Sequence, residues 1–96
     1  MIGVVARIKV KPGSQADFEA VVKQLVAAVN ANEAGCRLYQ CFKVQDSEVD
    51  YLFMEEYDDV AATEAHRASD HFRTFGRQMG AFMDGPPEII RTLKVS

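Results

Sequence analysis

The chain has 96 residues, of which 48% are hydrophobic and 26% charged, and its formal net charge is −3. These values are typical of one small globular domain, so we predict a single domain over residues 1–96. Without a cluster of lysines and arginines, an acidic chain is not expected to bind nucleic acid. No apolar run approaches the roughly 20 residues that cross a bilayer, and Met1 leads into a strand-like stretch rather than a secretory signal. We expect a cytoplasmic protein without a membrane partner.

The first half of the chain has the pattern of a strand, a helix and a second strand. Residues 2–10 are strand-like, and one face of that strand would carry Val4, Ile8 and Val10. Ser14 stands where a helix N-cap is expected, and the apolar residues after it recur at helical spacing, namely Phe18, Val21, Val22, Leu25, Val26 and Val29. Gly35 is available for a left-handed turn that ends this helix, and residues 36–44 form the second predicted strand.

The second half has the pattern of a hairpin strand, two helices and a last strand. A polar turn precedes a third strand at residues 51–57, a short helix follows from about Asp59 to Arg67, and Ser69 can cap another. The apolar stripe of that last helix consists of Phe72, Phe75, Met79, Phe82 and Met83. The order βαββαβ predicts an α+β, ferredoxin-like fold, in which a four-stranded antiparallel sheet carries its helices on one face.

The third strand is apolar on both faces. Tyr51, Phe53 and Tyr57 alternate with Leu52 and Met54, whereas a strand with one solvent-exposed face should alternate between apolar and polar residues. The helices can cover only one face of the sheet. A second copy of the sheet is the simplest cover for the other, so we predict a homodimer.

The two cysteines lie in the second predicted strand. Cys36 and Cys41 are five residues apart, which would place them on opposite faces with their Cα atoms roughly 16 Å from each other. A disulfide requires Cα atoms within about 7 Å. We therefore expect two buried, reduced thiols that share neither a disulfide nor a metal ion.

Both histidines of the chain, His66 and His71, lie in the segment EAHRASDHFRTF at residues 64–75. Two metal ligands on one helical face need a spacing of three or four residues, whereas this pair has a spacing of five with a helix cap between them. No phosphate-binding or dinucleotide-binding glycine motif occurs either. We therefore predict no metal site and no cofactor.

Acid–base chemistry is a better hypothesis for the two histidines. His71 would lie in the first turn of a helix, where the helix dipole disfavours a positive imidazolium, and a neutral imidazole can accept a proton from a phenol. Alternatively His71 makes only local hydrogen bonds at the helix start. His66 is a second catalytic candidate, or a favourable cation at the end of the short helix. Of the two, His71 is the stronger candidate.

Glu55 is the third catalytic candidate, because it shares a strand face with aromatic residues. Burial there would raise the pKa of Glu55 toward that of a general base. Alternatively, Glu55 pairs with an arginine or lies at the solvent-exposed end of the strand. The residues expected to contact a small apolar or aromatic substrate are Tyr39, Phe53, Tyr57, Phe72, Phe75, Met79 and Met83. The alternative is that these side chains only form the core.

Five segments together resemble the antibiotic biosynthesis monooxygenase (ABM) domain family: VKPGS, EAGCRLYQ, EEY, EAHRASDHF and MDGPP. The resemblance covers nearly the whole chain, and Gly-Cys-x-x-Tyr and His-x4-His-Phe are its most specific parts. It implies a dimeric α+β barrel, in which each subunit has a pocket between its sheet and its helices.

The functions of this family differ, and two of them fit this sequence poorly. Haem-degrading members have an iron-binding histidine that would fall near Gly76 and a tryptophan near His66, and this chain has no tryptophan. Members that oxidise polyketides use an asparagine, a tryptophan and a tyrosine, which fall near Phe53, Tyr57 and Thr63. The quinol monooxygenases and the autoinducer isomerases share the His-x4-His spacing and the Glu-x-aromatic pair found here.

The resemblance therefore predicts a monooxygenase that acts on quinol-like or phenolic small molecules without metal or flavin. A base would deprotonate the substrate, and the resulting anion would reduce O₂ in an apolar pocket. One alternative is a sugar-phosphate isomerase, which needs a phosphate site; the nearest candidates are Lys43, Arg67 and Arg73, none of them in a diagnostic motif. Another is a dimer that binds a small molecule without catalysis.

Overall fold

In a computed structural model that describes residues 1–96, four antiparallel strands carry three helices on one face. The elements are β1 (Ile2–Lys9), α1 (Gln15–Asn32), β2 (Cys36–Lys43), β3 (Asp50–Tyr57), α2 (Val60–Ala68), α3 (Asp70–Gly80) and β4 (Glu88–Leu93). The strand order is β2-β3-β1-β4, and every neighbouring pair is antiparallel. The predicted α+β, ferredoxin-like fold is confirmed. None of the helices has both the length and the apolar character that a membrane span needs.

The core lies between α1 and the inner face of the sheet. Phe18, Leu25 and Val29 of α1 are fully buried, at the positions that the helical spacing predicted. The Phe18 ring packs against the Tyr51 ring of β3, with 4.8 Å between the centroids. Burial of each such side chain contributes about 1.5–3 kcal/mol to folding. Ser14 occupies the N-cap position of α1, but its hydroxyl makes no capping hydrogen bond.

The role predicted for Gly35 is wrong, because this glycine is required for a close approach and not for a left-handed turn. Only Gly13 and Gly85 among the glycines have a positive φ, at 88° and 87°. A Cβ atom added at Gly35 would lie 2.8 Å from the Cβ of Ala62 in α2. Glycine at this position therefore allows α2 to pack directly on the segment that joins α1 to β2.

The prediction that the two cysteines face opposite sides of the sheet is also wrong. A β-bulge interrupts the register between Cys36 and Leu38, so Cys36 lies opposite Tyr57 and Cys41 lies opposite Phe53. Residues opposite each other in an antiparallel pair point to the same face, and both cysteines pack against the core. Both are free and half-buried. Burial raises the pKa of Cys36 to about 11 and that of Cys41 to about 12, so both stay protonated thiols near neutral pH.

The outer face of the sheet carries exposed apolar side chains. Phe42 is 46% exposed, Met54 38% and Ile90 42%, and the three come from β2, β3 and β4. Val5 and Leu52 lie between them on the same face. No helix covers this side of the sheet, as the βαββαβ order predicted.

Candidate active site

A cavity of about 470 Å³ lies between the inner face of the sheet and the helices α2 and α3. Its volume falls within the range of small-molecule sites, roughly 300–1,000 Å³. Apolar residues of the first and third strands line it, including Val4, Ala6, Ile8 and Phe53. The cavity extends to β4, whose six residues are all exposed. An enclosed apolar surface with an opening to solvent is typical of a site for a small organic ligand.

His66, near the end of α2, is the imidazole that lines this cavity. The residue is only 5% exposed, and three aromatic rings surround it. The ring centroids of Phe72, Tyr39 and Tyr57 lie 4.6, 5.1 and 5.6 Å from that of the imidazole. Loss of hydration lowers the pKa of His66 below its usual 6.5, and a hydrogen bond with Glu33 partly opposes this effect. A neutral imidazole beside an apolar cavity is suited to act as a base.

The Glu33 carboxylate holds His66 in one tautomer. The His66 Nδ1 atom lies 3.1 and 3.0 Å from the Glu33 Oε1 and Oε2 atoms. An ionised carboxylate can only accept hydrogen bonds, so Nδ1 carries the hydrogen and Nε2 keeps the free lone pair. The Nε2 atom makes no hydrogen bond within the chain. Every side-chain nitrogen or oxygen atom that is fully buried does have a hydrogen-bond partner, so Nε2 cannot be fully buried. Nε2 is therefore accessible, and since His66 lines the cavity, we infer that the cavity is the space from which Nε2 is reached.

His71 contacts the same carboxylate from the first turn of α3. Its Nε2 atom lies 2.5 Å from the Glu33 Oε2 atom, and the side chain is 17% exposed. The break between α2 and α3 is produced by Ser69, whose hydroxyl accepts a hydrogen bond from the Phe72 amide, as the sequence predicted. This geometry directs the two imidazoles to Glu33 from different helices. His71 therefore holds Glu33 in place and does not itself line the cavity.

Glu33 is the site residue that the sequence analysis missed. It lies at the C-cap of α1, 33 residues from His66 and 38 from His71, so no local spacing connects the three. The one available signal was its position as the first residue of EAGCRLYQ, a segment that carries the resemblance to the ABM family.

Glu55 faces the cavity together with Tyr57, as strand parity predicted. The Tyr57 hydroxyl donates a hydrogen bond of 2.6 Å to the Glu55 Oε1 atom. Burial raises the pKa of Glu55, and the hydrogen bond from Tyr57 lowers it again in part. Burial also raises the pKa of Tyr57, which keeps its phenol protonated. Glu55 is therefore a second group that can exchange a proton with a bound ligand.

The structure brings most of the predicted site residues to one cavity. Those that line it are His66, Glu55, Tyr39, Phe53, Tyr57, Phe72, Met79 and Met83. His71 and Phe75 do not line it, because His71 contacts Glu33 and Phe75 packs against the core. Strand parity and helical spacing predict the face on which a residue lies. Only some residues of the inward faces line the cavity, however, and others pack in the core.

Glu33, His66 and His71 are also the residues that could hold a metal ion, since their ligand atoms lie within 4.8 Å of one another. Two imidazoles and a carboxylate are donors that zinc and similar ions accept. Here, however, the imidazole nitrogens that face Glu33 donate hydrogen bonds to it. An ion could bind only after both nitrogens had lost those protons and the side chains had moved apart. Spacing along one helix does not reveal this cluster, because its three residues come from the C-cap of α1, from α2 and from α3.

Fold and cavity together define a class of small α+β proteins with a pocket between sheet and helices. The family model described as antibiotic biosynthesis monooxygenase matches residues 1–78, so the chain belongs to the ABM family.

Individual relatives agree with this assignment. The Bacillus subtilis (strain 168) protein "Putative monooxygenase YcnE" is 29% identical over 92 residues, which cover 96% of each chain. "Putative monooxygenase Rv0793" of Mycobacterium tuberculosis is 28% identical over 88 residues, 92% of this chain and 85% of that one. A crystal structure of a "putative antibiotic biosynthesis monooxygenase" from Caulobacter crescentus CB15 is 40% identical, with a TM-score of 0.95 and coverage of 99% and 90%.

Proposed function

We propose that this protein is a cofactor-independent monooxygenase of quinol-like or phenolic small molecules, with His66 as the general base. One observation carries the proposal: Glu33 occupies Nδ1 of His66, which leaves Nε2 free beside an apolar, aromatic cavity. The names of the relatives YcnE and Rv0793 support the same reaction class.

In this reaction the substrate supplies all the electrons. His66 Nε2 takes the proton of a ring hydroxyl, and the negative charge of Glu33 stabilises the imidazolium that forms. The electron-rich anion then reduces O₂, and a ring carbon forms a bond to oxygen. The resulting hydroperoxide takes up a proton and loses water as the ring becomes a quinone. A hydroquinone and O₂ thus give a hydroxyquinone and water, with four electrons moved from substrate to O₂.

The cavity and its polar groups fit this chemistry. The aromatic walls would orient a planar ring, and the apolar lining would keep bulk water from the anion. Glu55 faces the same cavity with a raised pKa, so in its protonated form it can supply the proton for the departing hydroxide. In this scheme His71 is a positioning residue that acts through Glu33.

Oxygen uptake is the direct test of the proposed function. The rate is measured with an oxygen electrode for a panel of substituted hydroquinones and naphthohydroquinones, and autoxidation with an equal amount of heat-denatured protein is subtracted. We expect uptake well above that background for at least one member of the panel. If the folded protein shows no uptake above background with any member of the panel, the proposal is wrong.

The proposal predicts a pH profile set by His66. Its pKa is lowered below 6.5, so the rising limb of kcat/KM should follow one deprotonation with a midpoint below 6.5. Glu33 raises this pKa, so Glu33→Gln should move the midpoint lower still. The same shift affects stability. The unfolded chain binds a proton at His66 more readily than the folded chain does, so the free energy of unfolding decreases as pH falls below 6.5. A midpoint above 6.5 would contradict the assignment of His66 as the base.

We also propose that the protein is a homodimer through the outer face of its sheet, where Phe42, Met54 and Ile90 are exposed. A contiguous apolar surface of this kind is typical of an interface between subunits.

Light scattering after size-exclusion chromatography should give twice the 10.7 kDa mass of the chain at micromolar concentration. Met54→Lys, which places a charge in the middle of this face, should shift the protein toward monomer, whereas Lys23→Glu on α1 should not. A monomeric wild-type protein would contradict the proposal.

A further inference from the structure

Two arginines line the cavity from opposite layers of the fold. Arg67 comes from the last turn of α2, next to His66, and Arg91 comes from β4. Arg91 lies opposite Val4 of β1, which is buried and lines the cavity, so the Arg91 side chain leaves the sheet on the cavity side. Both arginines are exposed residues, and they therefore mark the part of the cavity that opens to solvent.

Neither arginine has a partner within the chain. Arg67 and Arg91 make no side-chain hydrogen bond and no ion pair, whereas Arg37 pairs with Asp58 and Arg73 pairs with Asp70. Arg73, which the sequence suggested as a phosphate ligand, is thus already paired, and Lys43 pairs with Glu48. Among the cationic residues considered for an anion, only Arg67 is both unpaired and at the cavity.

The remaining charge in the cavity lining does not neutralise the two arginines. Glu55 is the one acidic residue of the lining, and it accepts a hydrogen bond from the Tyr57 hydroxyl. Its burial favours the uncharged carboxyl form, and the charge of Arg91 acts on it in the opposite direction. The cavity thus combines an apolar interior with two guanidinium groups at its opening. A guanidinium binds carboxylate and phosphate oxygens through paired hydrogen bonds.

We propose that the substrate is an aromatic anion, whose carboxylate or phosphate group binds between Arg67 and Arg91 while its ring occupies the apolar cavity. In this pose the ring lies beside His66 and the charged group stays at the opening to solvent. Turnover of such a compound rests on the proposed function, but its binding does not. Carboxylate and phosphate share the oxyanion chemistry that the two guanidiniums recognise, and the experiment separates them.

The test is a set of calorimetric titrations with naphthalene ligands that cannot react with O₂. The ligands are 1-naphthoate, 1-naphthyl phosphate and the neutral isostere 1-naphthamide, with inorganic phosphate as an anion without a ring. We expect one of the two naphthalene anions to bind at least about tenfold more tightly than the amide, as charge-assisted hydrogen bonds imply. Inorganic phosphate alone should bind more weakly than that anion, because it lacks the apolar contacts.

Matched variants identify the residues that produce this preference. Arg91→Gln and Arg67→Gln should reduce the ratio between anion and amide severalfold each, while Arg91→Lys should keep part of it. Arg77→Gln is the control, because Arg77 is an exposed arginine of α3 that does not line the cavity. The substituted side chains are exposed, and circular dichroism spectra checked for each variant would show that the fold is retained.

The outcomes separate this proposal from the proposed function. Tighter binding of 1-naphthoate indicates that the substrate is an aromatic acid, and tighter binding of 1-naphthyl phosphate indicates that it is a phosphate monoester. Three results would overturn the proposal. The wild-type protein could bind anion and amide with equal affinity, it could bind neither anion, or both glutamine variants could keep the preference for the anion. In each of those cases, oxygen uptake with a neutral hydroquinone would still leave the monooxygenase assignment intact.

Discussion

Replacing His66 by asparagine is expected to lower kcat for oxygen uptake by roughly 10²- to 10⁴-fold, the contribution typical of a general base. Asparagine can still donate a hydrogen bond to Glu33, but its amide cannot take a proton from a phenol. Because the substrate still finds the same aromatic walls, KM should change much less than kcat. Initial rates with the best quinol of the panel, measured above pH 7, provide the comparison.

The neighbouring variants give this experiment its controls. Glu33→Gln should cause a smaller loss than His66→Asn, because glutamine can still accept one hydrogen bond but carries no charge to stabilise the imidazolium. His71→Asn should cause the smallest loss of the three, because His71 acts only through Glu33. The sequence favoured His71 as the base, whereas the structure places His66 at the cavity. A loss for His71→Asn equal to that for His66→Asn would contradict the structural assignment.

Gly35→Ala is expected to lower the free energy of unfolding by about 1–3 kcal/mol, the cost of overpacking a well-packed contact. The new Cβ would lie 2.8 Å from the Cβ of Ala62, so α2 must move away from the segment before β2. His66 is on α2, and we therefore expect activity to fall as well, since a displacement of about 1 Å in a site can reduce rates up to 10²-fold.

Gly76→Ala is the matched control for this stability measurement. Gly76 lies inside α3, and a Cβ atom there would meet nothing within 4 Å. The same substitution should therefore raise the free energy of unfolding by about 0.5–1 kcal/mol, because alanine favours the helix. Urea denaturation of both variants measures the two values. If both changes had the same sign, the close approach of Gly35 to α2 would not be the cause.

Local patterns predicted most of the fold. The helical spacing after Ser14 gave the buried face of α1, and the capping role of Ser69 placed the break between α2 and α3. Alternation in β3 separated its two faces, and the structure buries Tyr51, Phe53 and Tyr57 and leaves Met54 on the other face exposed. The errors at Gly35 and at the cysteines have another origin, since a bulge and a contact between α2 and a distant loop are produced by the packed structure rather than by neighbouring residues.

The site was predictable only in part, for the same reason. Strand parity placed Glu55, Tyr57 and Phe53 on one face, and that face forms a wall of the cavity. No spacing connects Glu33 with two histidines more than 30 residues away, and no motif marks Arg91 on the last strand. These residues meet because α1, α2, α3 and β4 converge, and that convergence depends on the whole fold.

The most direct test of the account is the fate of isotopically labelled O₂. The wild-type protein, treated with a chelator and freed of flavin, is incubated with the best quinol of the panel under labelled O₂, and the product is examined by mass spectrometry. We expect one labelled oxygen atom in the quinone product and the other in water, with no metal or flavin added. A product without label, or one formed only when a metal or flavin is restored, would contradict it.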